Sequence, residues 1–278
     1  MPSAEPNLSD ARSFVERHRA ALENDEVRHN VLLAILGRLE ADEGGKIRRW
    51  TLGDAGECAV QTPGFPIVLG ELSQAQCYAL AEATRELDYL GVVGGDLKAG
   101  WFATRAAALG VEFLEPIPQQ IHVLREPPRY PNALGHARPV GIDDAALLFD
   151  WTVAFRHEAT PHDALPERHR VEKVAAEGRH MFWLVDGAPV SMAAIARRLR
   201  NAAAIGPVYT PPPSRGRGYA GSVVGAVVER IFAEGRSAAC LYADMRNPYA
   251  NRCYAKLGFR PVDKSWHYPR AQPDIGSG

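Results

Sequence analysis

Residues 205 to 221 read Ile205-Gly206-Pro207-Val208-Tyr209-Thr210-Pro211-Pro212-Pro213-Ser214-Arg215-Gly216-Arg217-Gly218-Tyr219-Ala220-Gly221. The apolar start is a strand candidate over Asn201–Tyr209, and Pro211-Pro212-Pro213 breaks it. A helical stripe of Val223, Val224, Val227, Val228 and Ile231 follows. The order is strand, short loop, helix, with glycines at the loop-to-helix junction. The first turn of a helix has N–H groups without intrahelical partners and lies at the positive end of the dipole, so such a junction can cradle a diphosphate. Gly216 and Gly218 permit close backbone approach, and Arg215 and Arg217 add charge. No Gly-Lys-Ser/Thr follows, so this is not a Walker A loop, and the dinucleotide-binding spacing is absent.

Working outward through the second half, helix patterns cover Asp143–His157 and Asp163–Ala176. His180–Val185 is a strand candidate, and Asp186-Gly187 is a hairpin signal before another strand over Pro189–Ile195. Ala238–Ala243 is the next strand. Pro248–Lys256 is a short helix with proline at its start, where a missing N–H costs least, and Asn247 stands in the capping position. The first half has a helix candidate around Ser9–Leu39 and strand candidates at Arg48–Leu52 and Phe65–Leu69. Ser73 with Gln76 predicts a capping box opening a helix to about Leu87. A strand over Tyr89–Val93, a helix over Asp96–Leu109 and a strand over Gln119–Leu124 complete an α/β pattern. Between the halves, Glu126–Gly135 holds three prolines and no apolar periodicity. It predicts a linker over residues 127–136 between an N-terminal domain at 1–126 and a C-terminal domain at 137–270, with a tail at 271–278.

The 278 residues are 46% hydrophobic and 23% charged, the balance of a globular protein rather than a disordered one. A net charge of -1 gives no electrostatic footprint for nucleic acid or anionic lipid. No apolar run approaches the roughly 20 residues that cross a bilayer. The four cysteines form no Cys-x-x-Cys pair, so zinc, redox motifs and a disulfide framework are not expected. His157, His162 and His169 lack metal-ligand spacing. The expectation is a cytoplasmic protein with no nucleic-acid, membrane or metal partner; its oligomeric state is not legible.

Arg215-Gly216-Arg217-Gly218-Tyr219-Ala220 resembles the Arg/Gln-x-x-Gly-x-Gly/Ala signature of the GNAT superfamily of acetyl-CoA-dependent N-acetyltransferases. Downstream, Asn247-Pro248-Tyr249-Ala250-Asn251-Arg252-Cys253-Tyr254-Ala255-Lys256-Leu257-Gly258-Phe259 resembles that family's second motif, Asn-x-x-x-Asn-x-x-Tyr-x-x-x-Gly-Phe. The likeness covers roughly residues 137–268. It implies a mixed, mostly antiparallel, splayed sheet flanked by helices, preceded by a second α/β domain that is a degenerate copy or an accessory domain.

It also implies an acetyltransferase using acetyl-CoA as cosubstrate and a small-molecule amine as acceptor. Val208, Tyr209 and Thr210 would meet the pantetheine arm. Arg215, Gly216, Arg217, Gly218, Tyr219 and Ala220 would hold the diphosphate, and Asn247 the arm from the second strand. Tyr254 would give a proton to the leaving thiolate, for which an unperturbed pKa near 10 is suitable. Asp244, His157, Glu158, Tyr209 and a water chain all remain open as the base. The Gly91–Asp96 loop lacks the paired arginines, so no second cofactor site is expected there. A chain starting near Leu134 is expected to keep affinity for acetyl-CoA. The rival from another class is a non-catalytic acyl-CoA sensor or docking module.

Overall fold

The computed structural model describes residues 11–41, 46–130, 133–161 and 164–272; His162 and most of the expected tail lie outside these. The chain forms two compact units. One runs to Gln120 and takes up the chain again from Asp263, and the other is Ile121–Val262.

In the first unit the long N-terminal helix candidate is two helices, α1 (Ala11–Glu23) and α2 (Asn30–Glu40). Strands β1 (Arg48–Thr51), β2 (Cys58–Gln61) and β3 (Ile67–Leu69) follow, then α3 (Gln74–Thr84), β4 (Gly91–Gly95) and α4 (Lys98–Ala108). β1, β2 and β3 form an antiparallel meander, and β4 lies parallel to β3. The capping box is in place: the Ser73 hydroxyl accepts from Gln76 N–H, and Gln76 Oε1 accepts from Ser73 N–H at 2.8 Å. Leu80, Phe102 and Tyr89 fill the core of this unit.

Strand β5 (Ile117–Leu124) leads into β6 (His136–Pro139), α5 (Ala145–Ala159), α6 (Arg168–Ala176), β7 (His180–Val185), β8 (Ala188–Arg198) and β9 (Ala202–Tyr209). Then come α7 (Tyr219–Ala233), β10 (Ala238–Asp244), α8 (Pro248–Leu257) and β11 (Arg260–Pro269). The β7–β8 hairpin turns at Asp186 (φ 48°) and Gly187 (φ 78°), the paired left-handed conformation that Asp-Gly favours. β6 to β9 pair antiparallel in sequence order, and β10 runs parallel to β9. Val223, Val224, Val227, Val228 and Ile231 of α7 are fully buried against these strands.

Apart from β6, which opens the second half, the two halves of the sequence repeat one order: two helices, three antiparallel strands, a helix, a strand parallel to the third, a helix and a last strand. The last strands are exchanged. β4 takes β11 as its neighbour, with Ser265 opposite Gly95 and Pro269 opposite Gly91. β10 takes β5. The mixed, mostly antiparallel sheet flanked by helices therefore appears as expected, while β2, β6 and β11 were not foreseen.

The boundaries differ from the sequence expectation for the same reason. Division falls at Gln120/Ile121, not in the proline segment, and the chain's end belongs to the first unit. Described parts of the proline segment are built into the second unit: Arg129 N–H bonds to Leu257 O at 3.0 Å, and Tyr130 lies where a Cβ on Gly225 would have to go. A chain starting at Leu134 would lack β5 and leave β10 with an open edge, so the expectation that it binds cofactor is withdrawn.

Leu124, 4% exposed, is the β5 side chain that enters the second core, against Gly258 and near the valine stripe of α7. Leu124→Ala is expected to cost about 2–4 kcal/mol in urea unfolding, from lost burial and the cavity left behind. A change below about 0.5 kcal/mol would mean that β5 is dispensable to that core.

Candidate functional site

The parallel ladder between β9 and β10 joins Ala202–Ile205 to Ala238–Leu241 and goes no further. Beyond it β9 continues to Tyr209 and β10 to Asp244, and the two part. Gly206 (φ 154°) and Pro207 mark the change, and Pro207 has no N–H with which to continue a ladder. Tyr209 O turns towards β8, where Ser191 Oγ donates to it at 3.1 Å. Alternation along a strand then turns the N–H and C=O of Val208 to the opposite edge, into the gap beside β10. Ser191 Oγ also lies 2.8 Å from Thr210 Oγ1 and fixes the strand's last residue.

The gap opens on the loop. Pro212–Ser214 makes one 3-10 turn, and Gly216 (φ 77°) and Gly218 (φ 82°) are both left-handed, a region costly for any residue with a Cβ. Gly218 is the N-cap of α7, and no side chain caps the helix. Ser222 N–H makes a helical bond back to Gly218 O, so the N–H groups of Tyr219, Ala220 and Gly221 have no carbonyl one turn back. Tyr219 is buried in the core and anchors this turn, whereas Gly216, Arg217 and Gly218 are exposed. Arg215 is held at two points: Nε donates to Thr210 O at 2.8 Å and Nη2 to Glu158 Oε2 at 2.6 Å.

The second motif forms the opposite wall. Asn247 caps α8, its Oδ1 accepting from Tyr249 N–H and Ala250 N–H at 3.2 and 3.0 Å. Asn251 ties three elements together: Nδ2 donates to Asp244 O (2.8 Å) and Asn247 O (2.7 Å), and Oδ1 faces His122 Nε2 at 3.0 Å. Because Oδ1 can only accept, His122 Nε2 carries the hydrogen. Nδ1 of the neutral ring is then a buried acceptor without a partner. Burial lowers the His122 pKa, which keeps the ring neutral.

Tyr254 packs between His122 and Phe259, with ring centroids 6.2 and 6.0 Å away. Burial raises its pKa, with a smaller contribution from Cys253, so its ordinary value near 10 does not apply. A weaker acid than expected gives a hydrogen bond to a thiolate more readily than it surrenders its proton, since a thiol titrates near 8.5.

The open question of the base narrows. Asp244 is committed to its own turn, accepting from Arg246 N–H at 2.8 Å and pairing with its guanidinium at 3.0 Å. His157 is exposed at the end of α5. Glu158 and Tyr209 meet, Tyr209 OH lying 3.5 Å from Glu158 Oε1, and burial with the Glu158 charge raises the Tyr209 pKa. Sequence reasoning missed His122, Ser191 and Trp151; the last packs its ring 6.1 Å from Tyr209. None lies in a motif, and only the fold brings them to the site.

Among its described residues the first unit shows no equivalent. By element order its counterpart of the glycine loop is Gly70–Ser73, four residues whose N–H groups are largely spent. Gly70 and Glu71 N–H bond to Cys58 O and Gly56 O, and the Ser73 box caps α3. An internal anion is present already: Glu71 meets Lys98 Nζ at 2.7 Å and His29 Nε2 at 3.2 Å, and its pKa falls to about 2, chiefly through the His29 hydrogen bond. Among the described residues no cluster of three His, Cys, Asp or Glu could hold a metal, and no helix is long and apolar enough to cross a membrane.

Residues 183–268 match the family model described as FR47-like protein. The fold is that of GNAT acetyltransferases. A putative acetyltransferase from the GNAT family of Novosphingobium aromaticivorans is 18% identical with a TM-score of 0.54, over 93% of this chain and 99% of that one. A GCN5-related N-acetyltransferase from Kribbella flavida is 15% identical with a TM-score of 0.58, over 89% and 97%. A tandem GNAT protein from the clavulanic acid biosynthesis pathway is 15% identical with a TM-score of 0.53, over 91% and 97%. No curated protein matches the sequence.

Asn251→Ala removes the pair to His122 and two carbonyl contacts, leaving a second polar atom of a 5% exposed histidine unsatisfied. The expected loss is about 2–3 kcal/mol in denaturant unfolding. Wild-type stability would show that Asn251 is not the tie between β5, β10 and α8.

Proposed function

We propose that this chain, whose FR47-like region has the fold of GNAT acetyltransferases, moves an acetyl group from acetyl-CoA to a primary amine by direct attack in a ternary complex. The observation that carries the reading is the parting of β9 from β10 onto an uncapped helix N-terminus entered through two left-handed glycines. An extended polar arm fits such a gap as a strand would, and a diphosphate fits the three unpaired N–H groups at its mouth. Gly216 supports the fit, because a Cβ built there meets nothing within 4 Å and the loop's surface is open.

In this reading Val208, Tyr209 and Thr210 line the pantetheine arm. Arg215, Gly216, Arg217, Gly218, Tyr219 and Ala220 hold the diphosphate, and Asn247, besides capping α8, borders the arm from the β10 side. Acetyl-CoA supplies an activated thioester and a stable leaving thiolate. A β9 backbone N–H turned into the gap polarises the thioester carbonyl as an oxyanion hole. As the amine nitrogen bonds to the acetyl carbon and the carbon–sulfur bond breaks, Tyr254 hydrogen-bonds the departing sulfur. The proton lost by the amine balances the one the thiol finally takes. The first half, repeating the order of elements with its loop closed, is read as a degenerate copy that supplies β5 as the neighbour of β10 rather than a second catalyst. Four free thiols fit a reducing compartment such as the cytoplasm.

The burial of Tyr254 favours one rival, an acyl-CoA-binding module without turnover. Following free CoA with a panel of amines separates the two. Tyr254→Phe should leave acetyl-CoA affinity within about twofold and lower turnover about 10²-fold. Wild-type kcat in that variant would assign the sulfur's proton to another donor. Gly218→Asp should weaken acetyl-CoA binding at least about tenfold in calorimetry, through backbone strain and like charge at the helix start. Unchanged affinity in the folded variant would move the diphosphate elsewhere.

A further inference from the structure

Arg215 is the loop's only cation held by a side-chain carboxylate among the described residues, and the carboxylate comes from another element. Glu158 lies in the last turn of α5 and reaches Arg215 Nη2 at 2.6 Å. Its other oxygen lies 3.5 Å from Tyr209 OH, and the Arg215 guanidinium stands 5.9 Å from the centre of the Tyr209 ring. Glu158 and Arg215 are each nearly half exposed (46% and 47%), so the pair is solvent-screened and readily exchanged. A diphosphate offers Arg215 a stronger, multidentate partner.

Glu158 does not stand alone on its helix. Trp151, Phe155 and Glu158 follow the i, i+4, i+7 spacing and share one stripe of α5. Trp151 packs on Phe182 and Tyr209, and both aromatic residues of the stripe keep part of their surface in solvent. The stripe therefore ends, beside the final residues of β9, in a carboxylate that is covered by Arg215.

Resting on the acetyltransferase reading, we propose that Glu158 is the recognition group for a cationic acceptor with an apolar body, and that Arg215 covers it until Arg215 turns to the diphosphate of acetyl-CoA. The ammonium then pairs with Glu158 while the apolar body lies along Trp151 and Phe155. Arg215 has one fork to offer two anions, so cofactor and acceptor binding are coupled, and the coupling is reciprocal. Acceptor binding follows cofactor binding, which keeps an ammonium from occupying a site that has no thioester.

Calorimetric titration of acetyl-CoA and of S-acetylpantetheine into wild type and Glu158→Gln tests this. The second ligand has the same arm and thioester but no diphosphate. Glu158→Gln frees Arg215, so it should tighten acetyl-CoA about fivefold and leave S-acetylpantetheine unchanged. Phenethylamine should bind wild type loaded with CoA about fivefold more tightly than the free protein, and Glu158→Gln should abolish that gain. Equal acetyl-CoA affinities for wild type and variant, or equal gains for both thioesters, would overturn the competition for Arg215. Phenethylamine binding that ignores CoA would overturn the recognition role. Wild type that fails to bind acetyl-CoA at all would overturn the acetyltransferase reading itself, a result distinct from either.

Discussion

Four residues of parallel ladder, Ala202–Ile205 against Ala238–Leu241, hold β9 to β10, and the site depends on where that ladder stops. Had the pairing run on to Tyr209 and Asp244, the backbone donors and acceptors of Val208 would be consumed within the sheet. One feature keeps the gap from closing: α7, seated by five fully buried aliphatic side chains, fixes where β9 must deliver the chain. The cleft is thus a consequence of core packing below it.

The first unit shows what the same order of elements does without that opening. Its loop is four residues long, its helix is capped by Ser73 and Gln76, and Glu71 brings its own negative charge under Lys98 and His29. In α3 the Ser73 hydroxyl answers the Gln76 N–H and the Gln76 side chain answers the Ser73 N–H, whereas no side chain caps α7. The two units differ at the helix cap, Ser73 in one and Gly218 in the other.

Much of this was legible in the sequence, where the signal was local. The Asp186-Gly187 hairpin, the Ser73 box, the proline start of α8 and the glycine junction all depend on residues a few positions apart, and each stands where the sequence puts it. Strand β11 was not legible, because its pleat carries exposed residues at Arg260, Pro261 and Val262 and its partner lies in the other half of the chain. The domain boundary failed for the same reason: prolines mark where backbone hydrogen bonding lapses, not where a core ends. At the site, the backbone residues of β9 and the loop could be read from pattern. His122 could not, since it reaches Asn251 from 129 positions away. The pKa of Tyr254 was misjudged because burial is a property of neighbours that sequence does not name.

The exchanged strands have a consequence for how the protein is made. Gly94 on β4 is bonded by Ser265 on β11, 171 residues later. At a synthesis rate of about 5–20 residues per second, β4 leaves the ribosome roughly 10–30 s before its partner exists. During that interval a short Val- and Gly-rich edge waits unpaired, the condition under which strands join the wrong chain. The first half can collapse around Leu80 and Phe102, but β4 gains its outer neighbour only when β11 arrives. A chain that stops before β11 would present the open β4 edge to chaperones and proteases, so the contact that protects β4 is encoded about 170 residues away from it.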